Sequence, residues 1–100
     1  MLTFLIPCLN ESKTIKKVVG DCFQSLLENN IEGKVLVADN GSNDGSQELA
    51  LTMGAKVINV TQRGYGAALK AGIKEINTGY IVMLDADSTY SPRDGVELYN

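Results

Sequence analysis

The hydrophobic period of this chain switches back and forth between strand and helix, and that alternation constrains the fold more than any single motif. Leu2-Thr3-Phe4-Leu5-Ile6 is an apolar run of strand length that Pro7 is expected to stop. Ile15, Val18, Val19, Cys22, Phe23, Leu26 and Leu27 then recur at spacings of three and four, an amphipathic-helix pattern with Ser12 as N-cap and Lys16-Lys17 on the wet side. Lys34 to Ala38 reads as a second strand, ending at Asp39. A helix from Asp44 to Gly54 follows, with Gln47 placed as in a capping box. Lys56 to Val60 is strand three, and a helix covers about Gly66 to about Ile76. Thr78-Gly79 leads into strand four, Tyr80 to Leu84, whose nearly unbroken apolar content predicts cover on both faces. Ser91-Pro92 opens a last helix, proline being suited to the first helical position. Strand alternating with helix four times predicts an α/β fold, a mainly parallel open sheet with helices on both faces.

In a parallel sheet every strand ends at the same edge, where open α/β sheets bind ligands. The loops brought there are Pro7-Cys8-Leu9-Asn10-Glu11, then Asp39 to Ser46, then Gln62 to Ala68, then Asp85-Ala86-Asp87-Ser88-Thr89. All are polar or glycine-rich. Helix N-termini behind them suit an anion, and carboxylates suit its counter-cation. Asp85 and Asp87 either turn toward one Mg²⁺ or Mn²⁺ or bond their own loop backbone. Asp39 either accepts hydrogen bonds from a nucleobase or ribose, or starts the Asn40-Gly41 turn. Asn10-Glu11 either bonds a nucleoside or leads into the first helix. Gly64-Tyr65-Gly66 either lets backbone approach a ligand beside the positive Arg63, or is a plain strand-to-helix turn. It also imitates the dinucleotide fingerprint, with Asp85 about twenty residues on; but Leu69 stands where the third glycine belongs, and the motif follows strand three.

Composition removes several function classes. The net charge is −3 and the nine basic residues are scattered, which argues against nucleic acid as a partner. With no histidine and only Cys8 and Cys22, a zinc site is not expected, and the two isolated cysteines fit a reducing compartment. The apolar run from Leu2 to Ile6 is too short for a membrane span or a signal-peptide core. The 100 residues suffice for one modest core, and the chain stops at Tyr99-Asn100 soon after its last helix begins. The expectation is one domain over residues 1–100, cut at its C-terminus from a longer protein.

Four motifs together resemble family 2 glycosyltransferases of the GT-A fold, in the branch of dolichyl-phosphate and other polyprenyl-phosphate sugar synthases. They are Ile6 to Glu11, Val37 to Ser46, Arg63 to Leu69 and Leu84 to Asp87. The resemblance implies the nucleotide-binding half of a Rossmann-like domain, with four visible strands in the order 3-2-1-4. It implies a nucleotide-diphosphate-sugar site in which Pro7, Leu9, Asn10, Glu11 and Asp39 surround the nucleoside, and to which Asn40, Ser42, Arg63, Gly64, Gly66, Asp85 and Ala86 belong. Asp85 and Asp87 would be the DxD pair, catalytic through the Mg²⁺ or Mn²⁺ they hold. Some relatives place a further ligand, often Gln, where this chain has Thr89, and relatives are more than twice as long. The implied reaction is inverting transfer from a UDP- or GDP-sugar to an acceptor, a polyprenyl (dolichyl or undecaprenyl) phosphate whose oxygen needs no strong base. The implied location is the cytoplasmic face of a membrane, contacted only through the acceptor or absent C-terminal residues. The competing readings are a dinucleotide-binding oxidoreductase domain and a non-catalytic nucleotide-binding fragment.

Overall fold

The computed structural model describes residues 1–77, 79–87 and 92. Four strands, β1 (Leu2–Cys8), β2 (Gly33–Asp39), β3 (Lys56–Asn59) and β4 (Tyr80–Met83), alternate with helices α1 (Ile15–Glu28), α2 (Ser46–Thr52) and α3 (Tyr65–Glu75). All pair in parallel, as the α/β reading expected, and in the order β3-β2-β1-β4 that the resemblance implied.

Strand alternation decides which side chain meets which layer. Leu2, Phe4, Ile6 and Cys8 of β1, with Val35 and Val37 of β2, pack under α1 and α2. Leu5, Leu36 and Ala38 face the other way, toward Ala68 of α3. That split follows from chirality. Parallel crossovers are right-handed, so a chain stepping from β1 through β2 to β3 places its helices on one face. The step from β3 back past β1 to β4 reverses direction, and α3 lands on the opposite face. Beyond β1 and β4 the flanking helices therefore diverge, and a crevice opens at the strands' C-terminal ends. Among the described residues, no helix is long and apolar enough to cross a membrane.

Several local expectations change. Pro7 does not stop β1, which runs on to Cys8 with Pro7 opposite Ala38 of β2. The Leu5 carbonyl accepts from Leu84 N–H on the β4 side, and residue 7 faces the same side, where β4 has ended. The N–H that proline lacks would have had no strand to bond. Leu27 is 81% exposed, because the buried stripe of α1 runs through Ile15, Val18, Val19, Cys22 and Leu26. Ser12 is not the N-cap, since α1 begins three residues later, after a turn in which the Glu11 carbonyl accepts from Thr14 and Ile15 N–H. The α2 helix starts at Ser46 behind the left-handed Gly45, and Gln47 turns away to Asp39 and Asn59 instead of closing a capping box. Its end is as expected: Gly54 (φ +95°) donates to Leu51 O and Ala55 donates to Ala50 O, a Schellman closure. Among the described residues β4 pairs with β1 alone, and its cover is partial: Tyr80 and Val82 pack on the α1 side and Ile81 on the α3 side, while Met83 is 53% exposed. Thr78, Ser88, Thr89 and the last helix apart from Pro92 lie outside the described residues.

Close approach of backbone is required at the start of β2. A Cβ on Gly33 would stand 2.6 Å from the Leu2 carbonyl oxygen and 2.7 Å from Leu26 Cδ2, and the carbonyl belongs to the sheet's central strand. Gly33→Ala is therefore expected to destabilise the fold by roughly 1–3 kcal/mol, the usual range for overpacking. Urea unfolding checks this: the midpoint should drop with the m-value unchanged, and an unmoved midpoint would contradict the packing.

Candidate functional site

The crevice is a cleft of about 540 Å³ at the C-terminal ends of the strands. Pro7, Cys8, Leu9 and Glu11 line it from β1, Asp85, Ala86 and Asp87 from β4, and Arg63, Gly64, Tyr65 and Ala68 from the turn into α3. Asn40 closes the β2 side.

Behind that lining the loops form a hydrogen-bonded body. Asp39 ends β2 with 0% exposure. Its Oδ2 accepts from Gly41 N–H (3.1 Å), Ser42 N–H (2.8 Å) and Gln47 Nε2 (2.7 Å), and its Oδ1 from Ser42 Oγ (2.6 Å). Burial pushes this carboxyl up, but the donors from Ser42, Gln47 and Gly41 outweigh it and hold the group below its ordinary value. Asp39 is thus a buried carboxylate held by four donors of its own chain, three on Oδ2 and one on Oδ1.

The next loop is tied to it. Three consecutive amides of the β1–α1 loop donate into the β2–α2 loop: Asn10 N–H to Ser42 Oγ (2.8 Å), Glu11 N–H to Ser46 Oγ (3.0 Å), and Ser12 N–H to Asp44 Oδ2 (3.0 Å). Asn43 N–H returns the bond to Asn10 Oδ1 at 2.9 Å, with Asn10 held at φ +54°. On the other side Asn40 Nδ2 donates to Val60 O (3.1 Å) and Gln62 O (2.8 Å), while its Oδ1 accepts from Gly64 N–H (2.8 Å). The β4 loop is attached by two side chains. Thr14 Oγ1 donates to Ala86 O (2.5 Å), and the Tyr65 hydroxyl donates to Asp85 Oδ1 (3.0 Å).

Of the residues singled out from sequence, Pro7, Leu9, Glu11, Asn40, Arg63, Gly64, Asp85, Ala86 and Asp87 line one cleft. Asn10, Asp39, Ser42 and Gly66 stand outside that lining. Asp39 and Ser42 bond one another, and Asn10 bonds the Ser42–Asn43 segment. Gly64 offers φ +117° for the turn, but its N–H is committed to Asn40. Sequence reasoning missed Cys8, Tyr65 and Ala68 as wall residues. Tyr65 lay within a motif read only for its glycines, and a phenol between two glycines at a helix start was the available signal. Burial, then the Asp39 charge, push the Cys8 thiol up to about 11, so it stays protonated and forms an inert wall.

Among the described residues no three His, Cys, Asp or Glu side chains form a metal-holding cluster. Three carboxylate side chains line the cleft, Glu11, Asp85 and Asp87, the last two only one residue apart, with no histidine anywhere in the chain. That all-oxygen donor pair fits Mg²⁺ or Mn²⁺, which take few protein carboxylates and complete the shell with phosphate and water.

The family model described as glycosyl transferase family 2 matches residues 3–99. Glycosyltransferase AglJ of Haloferax volcanii is 37% identical over 95 residues, covering 94% of this chain and 30% of that protein. Protein RfbJ of Shigella flexneri is 31% identical over 100 residues, covering 99% of this chain and 74% of its own length. The chain therefore spans under a third of the first relative and about three quarters of the second. Among solved structures, glucosyl-3-phosphoglycerate synthase from Mycobacterium tuberculosis, crystallised with Mn²⁺, UDP-glucose and phosphoglyceric acid, superposes with a TM-score of 0.74. It is 26% identical, over 86% of this chain and 33% of that one.

The loop body has a pH signature. Asp44 is held from 3.8 down to about 2, chiefly by the Ser46 hydroxyl and then, against a small burial effect, by Ser12 and the Ser46 amide. A depressed carboxylate contributes stability that is fully present above its unfolded value and lost as pH falls through its folded one. Folding stability should therefore decline from about pH 4 to pH 2, and Asp44→Asn should flatten that part of the profile. Urea midpoints measured across this range decide it; an identical slope in the variant would remove Asp44 from the acid response.

Proposed function

The chain belongs to glycosyl transferase family 2, and from that premise we propose that it carries the nucleotide-sugar site of a metal-dependent, inverting glycosyltransferase. In this reading the donor is a UDP- or GDP-sugar and the acceptor a polyprenyl phosphate. The observation that carries the proposal is the meeting of Asp85, Asp87 and Arg63 around one cleft at the switch point of the sheet. A sugar nucleotide's diphosphate needs cationic surroundings, and the cleft offers a guanidinium on one wall and a hard-cation ligand pair on the other.

Asp85 and Asp87 would hold the Mg²⁺ or Mn²⁺. When bound there, such an ion supplies Lewis-acid neutralisation of the charge that grows on the departing diphosphate. Arg63 adds a fixed positive charge from the β3–α3 turn. Pro7, Cys8 and Leu9 give the nucleoside an apolar bed, with Glu11 as the acceptor of hydrogen bonds beside it. Asn40 closes the β2 side of the site while tying down the turn before α3, and Asp39 and Ser42 serve the site from behind by fixing its loops. A phosphate nucleophile is already ionised near neutral pH and needs no strong general base. Such an acceptor places the reaction at the cytoplasmic face of a membrane.

The test is a donor screen with the complete protein, following nucleoside diphosphate release with UDP- and GDP-sugars, with and without polyprenyl phosphate and Mn²⁺. Release that requires both lipid phosphate and cation is the expected result. Asp87→Ala should lower it by on the order of 10²-fold or more. Tight NADH binding without metal, or near-normal turnover of Asp87→Ala, would overturn the reading.

A further inference from the structure

A hydrogen bond joins the two walls of the cleft, from the hydroxyl of Tyr65 at the first position of α3 to Asp85 Oδ1 at 3.0 Å. From the other face of the sheet, Thr14 donates to the carbonyl of Ala86 at 2.5 Å. Ala86 itself is buried in the α1 cluster. The Asp85-Ala86-Asp87 segment is thus gripped at its middle by α1 and at its first carboxylate by α3.

An ionised carboxylate has two oxygens and several acceptor sites, and left alone it samples rotamers that present either oxygen to the cleft. A phenol on Oδ1 removes that freedom. It brings no positive charge that would compete with a cation, as a lysine would. Ligating carboxylates elsewhere are held by such outer hydrogen bonds, and losing one typically weakens metal binding 10- to 100-fold.

We propose that Tyr65 is a positioning residue for the cation: it engages one oxygen of Asp85 and fixes the carboxylate so that the other oxygen is presented toward the ion shared with Asp87. The inference rests on the metal reading given above, and it extends that site across the cleft to a residue of the β3–α3 turn. The ring is 59% exposed, so removing only its hydroxyl leaves the core intact.

The experiment is a Mn²⁺ titration of the complete protein, following the electron-spin resonance of free Mn²⁺, alone and with UDP or GDP. The wild type, Tyr65→Phe and Asp85→Asn are compared, together with metal-free nucleotide binding and the thermal midpoint of each. Tyr65→Phe is expected to bind Mn²⁺ roughly 10- to 100-fold more weakly, with metal-free nucleotide binding and thermal midpoint unchanged. Mn²⁺ affinity equal to the wild type overturns the proposal. So does a parallel loss of Mn²⁺ binding, metal-free nucleotide binding and thermal midpoint, which would mark Tyr65 as merely structural. If the wild type itself binds no Mn²⁺ with either nucleotide, the metal reading fails and this inference falls with it. Mn²⁺ binding that Asp85→Asn weakens but Tyr65→Phe leaves at the wild-type level would sink the role of Tyr65 alone.

Discussion

A carboxylate with no exposure at the end of a sheet strand must be saturated with donors, and at Asp39 that requirement organises the whole functional edge. An uncompensated buried ion costs several kcal/mol even after relaxation (roughly, for a single charge). The chain meets the demand by folding its next residues back onto the group: the Gly41 and Ser42 amides, the Ser42 hydroxyl and, one loop later, Gln47 of α2. That sets the path of the β2–α2 loop. The loop then serves as a template, because Ser42, Asp44 and Ser46 receive consecutive amides from the β1–α1 loop. Its Asn40 receives Gly64 and holds two carbonyls before α3. Three of the four loops at this edge are in effect one body.

This division of labour separates the polar side chains into two sets. Asp39, Ser42 and Asp44 spend hydrogen bonds on the protein behind the lining, whereas Glu11, Arg63, Asp85 and Asp87 face the cleft; Asn40 does both. A binding site gains precision when the groups that touch ligand are backed by groups that are locked. The nucleotide side is backed in this way by interlocking loop bonds, and the β4 side by Thr14 and Tyr65.

The pattern of strands and helices was legible because parallel α/β architecture writes each layer into the period of the chain. The strand order expected from the family resemblance follows physically once right-handed crossovers place α3 opposite α1 and α2. What escaped the sequence was set by partners far along the chain. Nothing near Pro7 reveals that its missing N–H faces a side where β4 has already ended. Ser12 and Gln47 carry good local capping signals, yet in the fold Ser12 gives its amide to Asp44 and Gln47 gives its side chain to Asp39 and Asn59. Local rules lost to a distant charge. Within the site, Asp39 starts the Asn40-Gly41 turn, one of its two readings from sequence, while its bond to Gln47 comes from the following helix.

The spacing of Asp85 and Asp87 has its own physical reason. Asp85 and Asp87 flank Ala86 where the chain turns out of β4, and all three residues line the cleft. The residue between the acids must also fit a buried position. Here it is Ala86, buried against the α1 cluster with Leu84, its carbonyl held by Thr14. A charged or long residue at 86 would meet the packed layer of Phe4, Ile6 and Ile15. The pair is thus defined as much by the small apolar residue between the acids as by the acids themselves. Ala86 anchors the segment in the core, and that anchor aims two negative charges at the point where the sheet reverses direction.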